Sequence, residues 1–295
     1  MIFIQLQGGL GNQMFQYAAG RALALAHGVE LALDLTALKD DPLREYALDC
    51  LRIAARPALP QELAPLQSRL GNLAARRLGP LPGGRALLRL MGLPVLHHAA
   101  AVAHDPGVAK LPGHAYLAGF FQSERYFAHI APLLREEFRL AGPLAPESER
   151  LAETIRQTEA VSIHVRRTDY VDNPAVNATH GVLTPGHYAR CVERLGPRLR
   201  QPTCFVFSDD PDWAEANIRP PYPTIWVRPR QGASDADDLM LMSLCRHNIL
   251  ANSSFSWWAA WLNPHPDKLV LAPERWFSDT RHCTRDIIPS GWETV

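Results

Sequence analysis

The sequence predicts an α/β protein of two Rossmann-like domains, and three observations carry that reading. Near the N-terminus a short apolar strand, "IFIQL", runs into a glycine-rich turn and then an apolar stripe at helical spacing: Phe15, Ala18, Ala19, Ala22, Leu23 and Ala26. From residue 160 onward five apolar runs alternate with four helical patterns. The unusual polar residues stand where these strands end, the place where open parallel sheets bind ligands.

Gly28 ends the first helix and "ELALDL" (30–35) is the next strand, so the chain begins as a βαβ unit. Residues 56–112 are rich in Ala, Leu, Arg and Pro, give weak strand signals and read as helices. "AGPLAPESER" (141–150), with two prolines and a polar tail, marks the domain junction. Beyond it "AVSIHV", "TCFVFS", "TIWV", "NILAN" and "KLVLA" are strands. "PGHYARCVERL", "DPDWAEAN", "SDADDLMLMSLC" and "SFSWWAAWL" are the helices between them. The expected organisation is an N-terminal domain over 1–145 and a C-terminal domain over 146–273. A last segment, 274–295 with Trp276 and Trp292, is a candidate to pack back on the first domain.

Of 295 residues, 47% are hydrophobic and 20% charged, enough for two packed cores. Lys plus Arg and Asp plus Glu are 30 each, a balance that argues against a dedicated nucleic-acid binder. Five cysteines with no CxxC pair argue against structural zinc and a disulfide framework, and favour a reducing compartment. "MIFIQLQGG" starts on a strand with no basic leader, and no run is long and apolar enough to span a membrane. The expectation is a soluble chain without an anchor.

Four polar clusters fall at strand ends: "GGLGNQ", "HVRRTDYVDN" (164–173), "SDD" (208–210) and "NSSFS" (252–256). On two facing sheets they would describe one cleft. Arg166 and Arg167 are adjacent, so on an extended strand they point to opposite sides. One can meet a phosphate with its planar fork while the other binds acids of its own domain. A surface ion-pair role fits the same residues. "FSDD" offers carboxylates for a base edge, a ribose, a metal or a helix cap. Ser234-x-x-Asp237 in "SDADD" reads as a capping box rather than a metal-binding Asp-x-Asp. "NSSFS" at a helix start suits an anion or a plain N-cap. Trp257, Trp258 and Trp261 read as core packing ahead of a sugar platform. "GGLGNQ" lacks the third glycine of GxGxxG and the Lys-Ser/Thr of a P-loop. Gly9 and Gly11 allow close approach, and Asn12 with Gln13 place amides at a helix N-terminus. That set suits sugar hydroxyls and a leaving diphosphate.

Taken together, "GGLGNQMFQYA", "SIHVRRTDYV", "FVFSDDP" and "ILANSSFSWWAAWLN", with "AYLAGFFQSERYF" (115–127) between them, resemble the motifs of the α-1,2-fucosyltransferases, glycosyltransferase family 11. The resemblance implies a GT-B fold, with an acceptor-side and a GDP-fucose-binding Rossmann-like domain facing each other across a nucleotide-sugar cleft. It implies no cofactor and no metal. It implies transfer of L-fucose from GDP-fucose, with inversion, to the 2-hydroxyl of a terminal β-galactoside. Without the anchor of the animal members, the chain looks like a bacterial enzyme acting on a surface polysaccharide such as an O-antigen. Carried over, Arg166 holds the β-phosphate with His164 beside it. Asp210, with Asp209 as the second candidate, reads the guanine edge. Ser253 and Ser254 hold the nucleotide, Asn252 and Phe255 flank them, and Asn12 stands near the reaction centre. Gly9, Gly11 and Gln13 complete the donor-binding set. Asp169 and Asp172 are candidates for the base, and either could instead be the structural partner of Arg167.

The expected partners are GDP-fucose and a galactose-terminated glycan, with no nucleic acid. A protein O-fucosyltransferase-like enzyme and a non-catalytic glycan-binding module are the alternatives. From Cys50 to His104 there are seven arginines (52, 56, 69, 76, 77, 85, 89) and one acid, Glu62. These are either solvated helix faces or a peripheral contact with an anionic membrane, on its cytoplasmic side.

Overall fold

The computed structural model describes residues 1–99, 102–279 and 283–295, without the side chains of Arg69, Asp169, Asp172 and Ala175. The chain divides into two compact units, Met1–Arg139 and Leu140–Val295.

The first unit holds a five-stranded parallel sheet: β1 (Ile2–Gln5), β2 (Leu31–Asp34), β3 (Arg56–Pro57), β4 (Val95–Ala99) and β5 (Ala115–Gly119). Their order across the sheet is β3-β2-β1-β5-β4. β1 is flanked by β2, with Ile2 beside Leu31, and by β5, with Ile2 beside Ala115. The helix Leu10–His27 connects β1 to β2, and Gly28 closes it in the left-handed conformation (φ 60°). Phe15, Ala18, Ala19, Ala22 and Leu23 of its apolar stripe are buried, as are Ile2, Ile4 and Leu33, whereas Ala26 in the last turn is exposed. Between β3 and β4 lie three helices, Pro60–Gln67, Arg69–Leu78 and Gly84–Leu90, as their composition suggests.

The second unit follows the sequence reading closely. β6 (Glu159–Val165), β7 (Pro202–Ser208), β8 (Thr224–Trp226), β9 (His247–Ile249), β10 (Val270–Ala272) and β11 (Glu293–Thr294) form a parallel sheet ordered β11-β10-β9-β6-β7-β8. Read from β8 this is the doubly wound order 3-2-1-4-5-6, which reverses between β6 and β9. Val161, Ile163 and Val165 of β6 form one core with Tyr188, Cys191 and Val192 of the helix Pro185–Leu195. The three tryptophans are core: Trp257 and Trp258 are fully buried, and Trp257 Nε1 donates to the Ile287 carbonyl at 2.7 Å.

The last segment departs from its expected place. It adds β11 to the second unit's own sheet beside β10, and Trp292 packs on Leu250, Ala260, Val270 and Ala272. The reason is a short one: a two-residue edge strand leaves no periodicity to read.

Candidate active site

In a doubly wound sheet the crevice opens where the strand order reverses. In the second unit that point lies between β6 and β9, and the polar motifs gather there. β6 delivers His164, Arg166 and Arg167. The Arg166 guanidinium lies 3.4 Å from an Asp209 oxygen and over the Tyr170 ring, 5.9 Å from its centroid. Arg167 stacks 3.7 Å above the Trp213 ring and faces Asp210 at 3.6 Å. The adjacent arginines therefore have different partners, and both reach acids of their own unit.

The two aspartates differ in what they have left to offer. Asp209 accepts from the Arg167 amide (2.9 Å), the Thr168 amide (3.1 Å) and the Thr168 hydroxyl (2.6 Å), clamping the β7 end to the β6 end. Asp210 caps the helix Pro211–Asn217, accepting from the Trp213 amide, and is more exposed. His164 is buried, its Nδ1 has no hydrogen-bond partner among the described residues, and its ring lies 5.6 Å from Phe255. Burial, helped by the Arg166 charge and opposed by Asp209, pushes its pKa down to about 4, so it is neutral at pH 7.

Beyond β9, "NSSFS" splits into different duties. Asn252 is buried and spends its amide on the carbonyls of His180 (2.8 Å) and Trp276 (3.3 Å). Through its Nδ2 it ties loops together. Ser253 caps the helix Ser254–Leu262 through its own side chain, accepting from the Phe255 amide. Ser254 remains partly exposed at the first turn. Asp169 and Asp172 belong to the short helix Thr168–Asp172, and their side chains lie outside the described residues. The "SDADD" run is a capping box: Asp237 accepts from the Ser234 amide and hydroxyl and from the Ala145 amide.

The first unit's sheet reverses between β1 and β5, and "GGLGNQ" leaves β1 there. Gly8, not Gly9, is the conformationally demanding glycine: its φ is 75°, and a Cβ would meet Asn12 Nδ2 at 2.6 Å. Gly9 is the extended N-cap, and Gly11 is buried in the first turn. Gln13 is wholly buried, donates to the carbonyls of Gly8 and Glu45, and accepts from the Ala47 amide. Both ends of its amide are occupied by backbone, so it shapes the loop and does not touch substrate. Asn12 is partly exposed, and its Oδ1 accepts from Gln122 Nε2 at 2.8 Å.

Sequence reasoning gave no role to Gln122, Tyr170 or Trp213. Gln122 and Tyr170 had a signal, because they lie within "AYLAGFFQSERYF" and "SIHVRRTDYV"; Trp213 had none beyond its place in the helix "DPDWAEAN".

Comparison with known proteins agrees with this geometry. The sequence profile described as Glycosyl transferase family 11 matches residues 100–295. Over 297 aligned residues, 100% of this chain and 99% of the other, the sequence is 31% identical to an Escherichia coli protein named alpha-1,2-colitosyltransferase. It is 27% identical to galactoside alpha-(1,2)-fucosyltransferase 1 of Ateles belzebuth over 86% of this chain and 63% of that one. The fold resembles that of a mutant of Arabidopsis thaliana FUT1 in complex with GDP, at 14% identity and a TM-score of 0.51, covering 98% of this chain and 74% of that one. Two parallel Rossmann-like sheets of the GT-B class, the ordered motifs and the family match lead to one conclusion: the chain belongs to glycosyltransferase family 11.

Proposed function

We propose that this enzyme moves L-fucose from GDP-fucose, with inversion, to the 2-hydroxyl of a terminal β-galactoside in a surface polysaccharide or oligosaccharide, and needs no metal. One observation carries the reading: Arg166 follows β6 where the second sheet's strand order reverses, and His164 at the end of that strand lies 5.6 Å from Phe255 in the first turn of the helix Ser254–Leu262. A guanidinium and a helix N-terminus together suit a diphosphate. Asp209, held by three other donors, lies 3.4 Å from the Arg166 guanidinium and helps to orient it. When the sugar C1–O bond to the diphosphate breaks, Arg166 meets the charge that develops on the leaving oxygen. Donors placed in advance for such charge are usually the largest single contribution. The new bond forms from the acceptor O2 to C1, and the hydroxyl proton leaves to Asp169 or Asp172, a smaller contribution of about 10²–10⁴-fold. Asp210 keeps lone pairs for the guanine edge, whereas Asp209 is spent.

A second donor has its own support. The relative aligned over the full chain is named for colitose, which is L-fucose without its 3-hydroxyl. The test is GDP-fucose against GDP-colitose on galactosides, with excess EDTA, and the linkage read by NMR. Turnover of GDP-fucose to a 2-linked product in EDTA is expected. Preference for GDP-colitose would move the donor, loss of turnover in EDTA restored by Mn²⁺ would reinstate a metal, and transfer only to peptide hydroxyls would favour the protein O-fucosyltransferase reading.

The enzyme works on the cytoplasmic face of an anionic membrane, resting on residues 59–91. Among the described residues, seven of the eleven exposed large hydrophobic side chains fall in that stretch, Leu70 and Leu90 above all, and Arg76, Arg77, Arg85 and Arg89 are exposed among them. Apolar side chains between basic ones suit an interface with anionic lipid, worth about 1 kcal/mol per basic residue near the surface. No helix among the described residues is long and apolar enough to cross a membrane. Co-sedimentation should favour anionic over neutral vesicles at low salt, and changing the four arginines to Gln should abolish the preference. Equal binding to both vesicle types, or to neither, rules the contact out.

A further inference from the structure

The first sheet's reversal point has a second wall that the reaction chemistry above does not use. The chain leaving β5 runs "FFQS" beside the loop that leaves β1. Two side-chain amides tie them: Gln16 Nε2 donates to the Gly119 carbonyl at 3.2 Å, and Gln122 Nε2 donates to Asn12 Oδ1 at 2.8 Å. Between these ties Phe121 takes a left-handed backbone, φ 52°, the one non-glycine residue with positive φ among those described. A bulky side chain there is strained, and such strain persists where the surroundings impose it, often at functional sites. Phe121 is buried and meets the edge of Tyr126, with centroids 5.4 Å apart.

The kink leaves Phe120 outside. It is 41% exposed, and it is the aromatic member of the exposed large hydrophobics. The ring is held partly out of the core, next to a strained backbone at the edge where parallel sheets bind ligands. Gln122 follows two residues on, and its amide pair with Asn12 has two polar atoms without a hydrogen bond among the described residues: the Nδ2 of Asn12, a donor, and the Oε1 of Gln122, an acceptor. One donor and one acceptor are what a sugar hydroxyl takes.

We infer that Phe120 is an acceptor-contact residue, its ring carrying the apolar face of the terminal galactose while Asn12 and Gln122 hold its hydroxyls. Galactose suits the ring because its axial 4-hydroxyl leaves the C3, C4 and C5 hydrogens together on one face. The equatorial 4-hydroxyl of glucose breaks that surface. This rests on the galactoside acceptor proposed above and names the residue that selects it.

The experiment is steady-state kinetics of wild type, Phe120→Ala and Phe120→Trp with a β-galactoside and its glucoside epimer. Slow hydrolysis of GDP-fucose without acceptor is measured alongside. Phe120→Ala should raise the galactoside KM about 10- to 100-fold and narrow the preference for galactoside over glucoside. The KM for GDP-fucose and the acceptor-free hydrolysis should stay within about two-fold, and Phe120→Trp should restore the acceptor KM to within about five-fold. A tenfold change corresponds to about 1.4 kcal/mol of binding. An acceptor KM unmoved in Phe120→Ala overturns the inference alone, as does a donor KM that rises with it. A wild type that transfers to no galactoside overturns the acceptor reading and this inference together.

Discussion

The two sheets end in different chemistry. Where the first reverses there are amides and an aromatic ring: Gln13, Gln16, Asn12, Gln122 and Phe120. Where the second reverses there are two guanidinium groups, two carboxylates and a buried imidazole. Gln13 and Gln16 are fastened to backbone at both ends, Gln122 is fastened to Asn12, and each buried bond lost would leave an unsatisfied group costing about 1–3 kcal/mol. The charges are held at ion-pair distances of 3.4 and 3.6 Å, loose enough to change partner when a diphosphate arrives. A rigid neutral edge suits hydroxyl recognition, and a yielding charged one suits a leaving group that gains charge.

The largest expected effect separates the two arginines inside the charged edge. Arg166→Ala should fold normally and lose about 10²–10³ in kcat, by analogy with removing one transition-state donor. Arg167→Ala should lose its stacking on Trp213 and its contact with Asp210, an expected cost of about 1–2 kcal/mol in stability. Its turnover per folded molecule should fall far less. Measuring kcat beside thermal unfolding decides the point. A folded, inactive Arg167→Ala with an active Arg166→Ala would exchange their roles.

The next effect is a pH dependence that only the charged edge can have. The His164 pKa lies near 4 in the folded chain, against about 6.5 for an unfolded histidine. Between those values the unfolded chain binds a proton that the folded chain refuses. His164 therefore contributes fully above pH 6.5, and its contribution falls away as pH drops toward 4, by on the order of 2–3 kcal/mol. Asn12, Gln13 and Gln122 do not titrate, so the amide edge adds nothing in this window. Denaturant unfolding at pH 7, 5.5 and 4.5 should show a smaller loss in His164→Asn than in wild type. Parallel losses in the two proteins would place the proton elsewhere.

The charged edge was far more legible in the sequence than the amide edge, for a physical reason. Charges at the end of a buried strand need partners, so "HVRRTD" and "FSDD" announce a site. An amide can satisfy backbone or ligand equally well, and sequence does not show which. Gln13 and Asn252 were read as donor contacts and serve loops. In the first sheet "VLHHA" and "AYLAG" lack β-branched alternation, so β4 and β5 left no strand signal and the crevice between β1 and β5 could not be drawn. The second sheet's β6 to β10 were legible because long apolar runs alternate with capped helices.

The smallest expected effect tests how the amide edge is held. Gly8 has φ 75° and sits against Asn12, so Gly8→Ala adds left-handed strain of about 1–2 kcal/mol and pushes Asn12 Nδ2 from 2.6 Å. That movement should loosen the bond to Gln122 and raise the acceptor KM, leaving donor hydrolysis in place. Gly9 has φ −77°, and a Cβ there would meet Arg44 Nη1 at 3.6 Å, an ordinary contact. Gly9→Ala should therefore cost under about 1 kcal/mol, the usual price of a poorer N-cap, with little change in either KM. Thermal unfolding and both KM values for the two variants settle the order. If Gly9→Ala proves the more damaging in turnover while its stability holds, a ligand must approach that backbone closely, and Gly9 returns to the donor-binding set where its sequence motif had placed it.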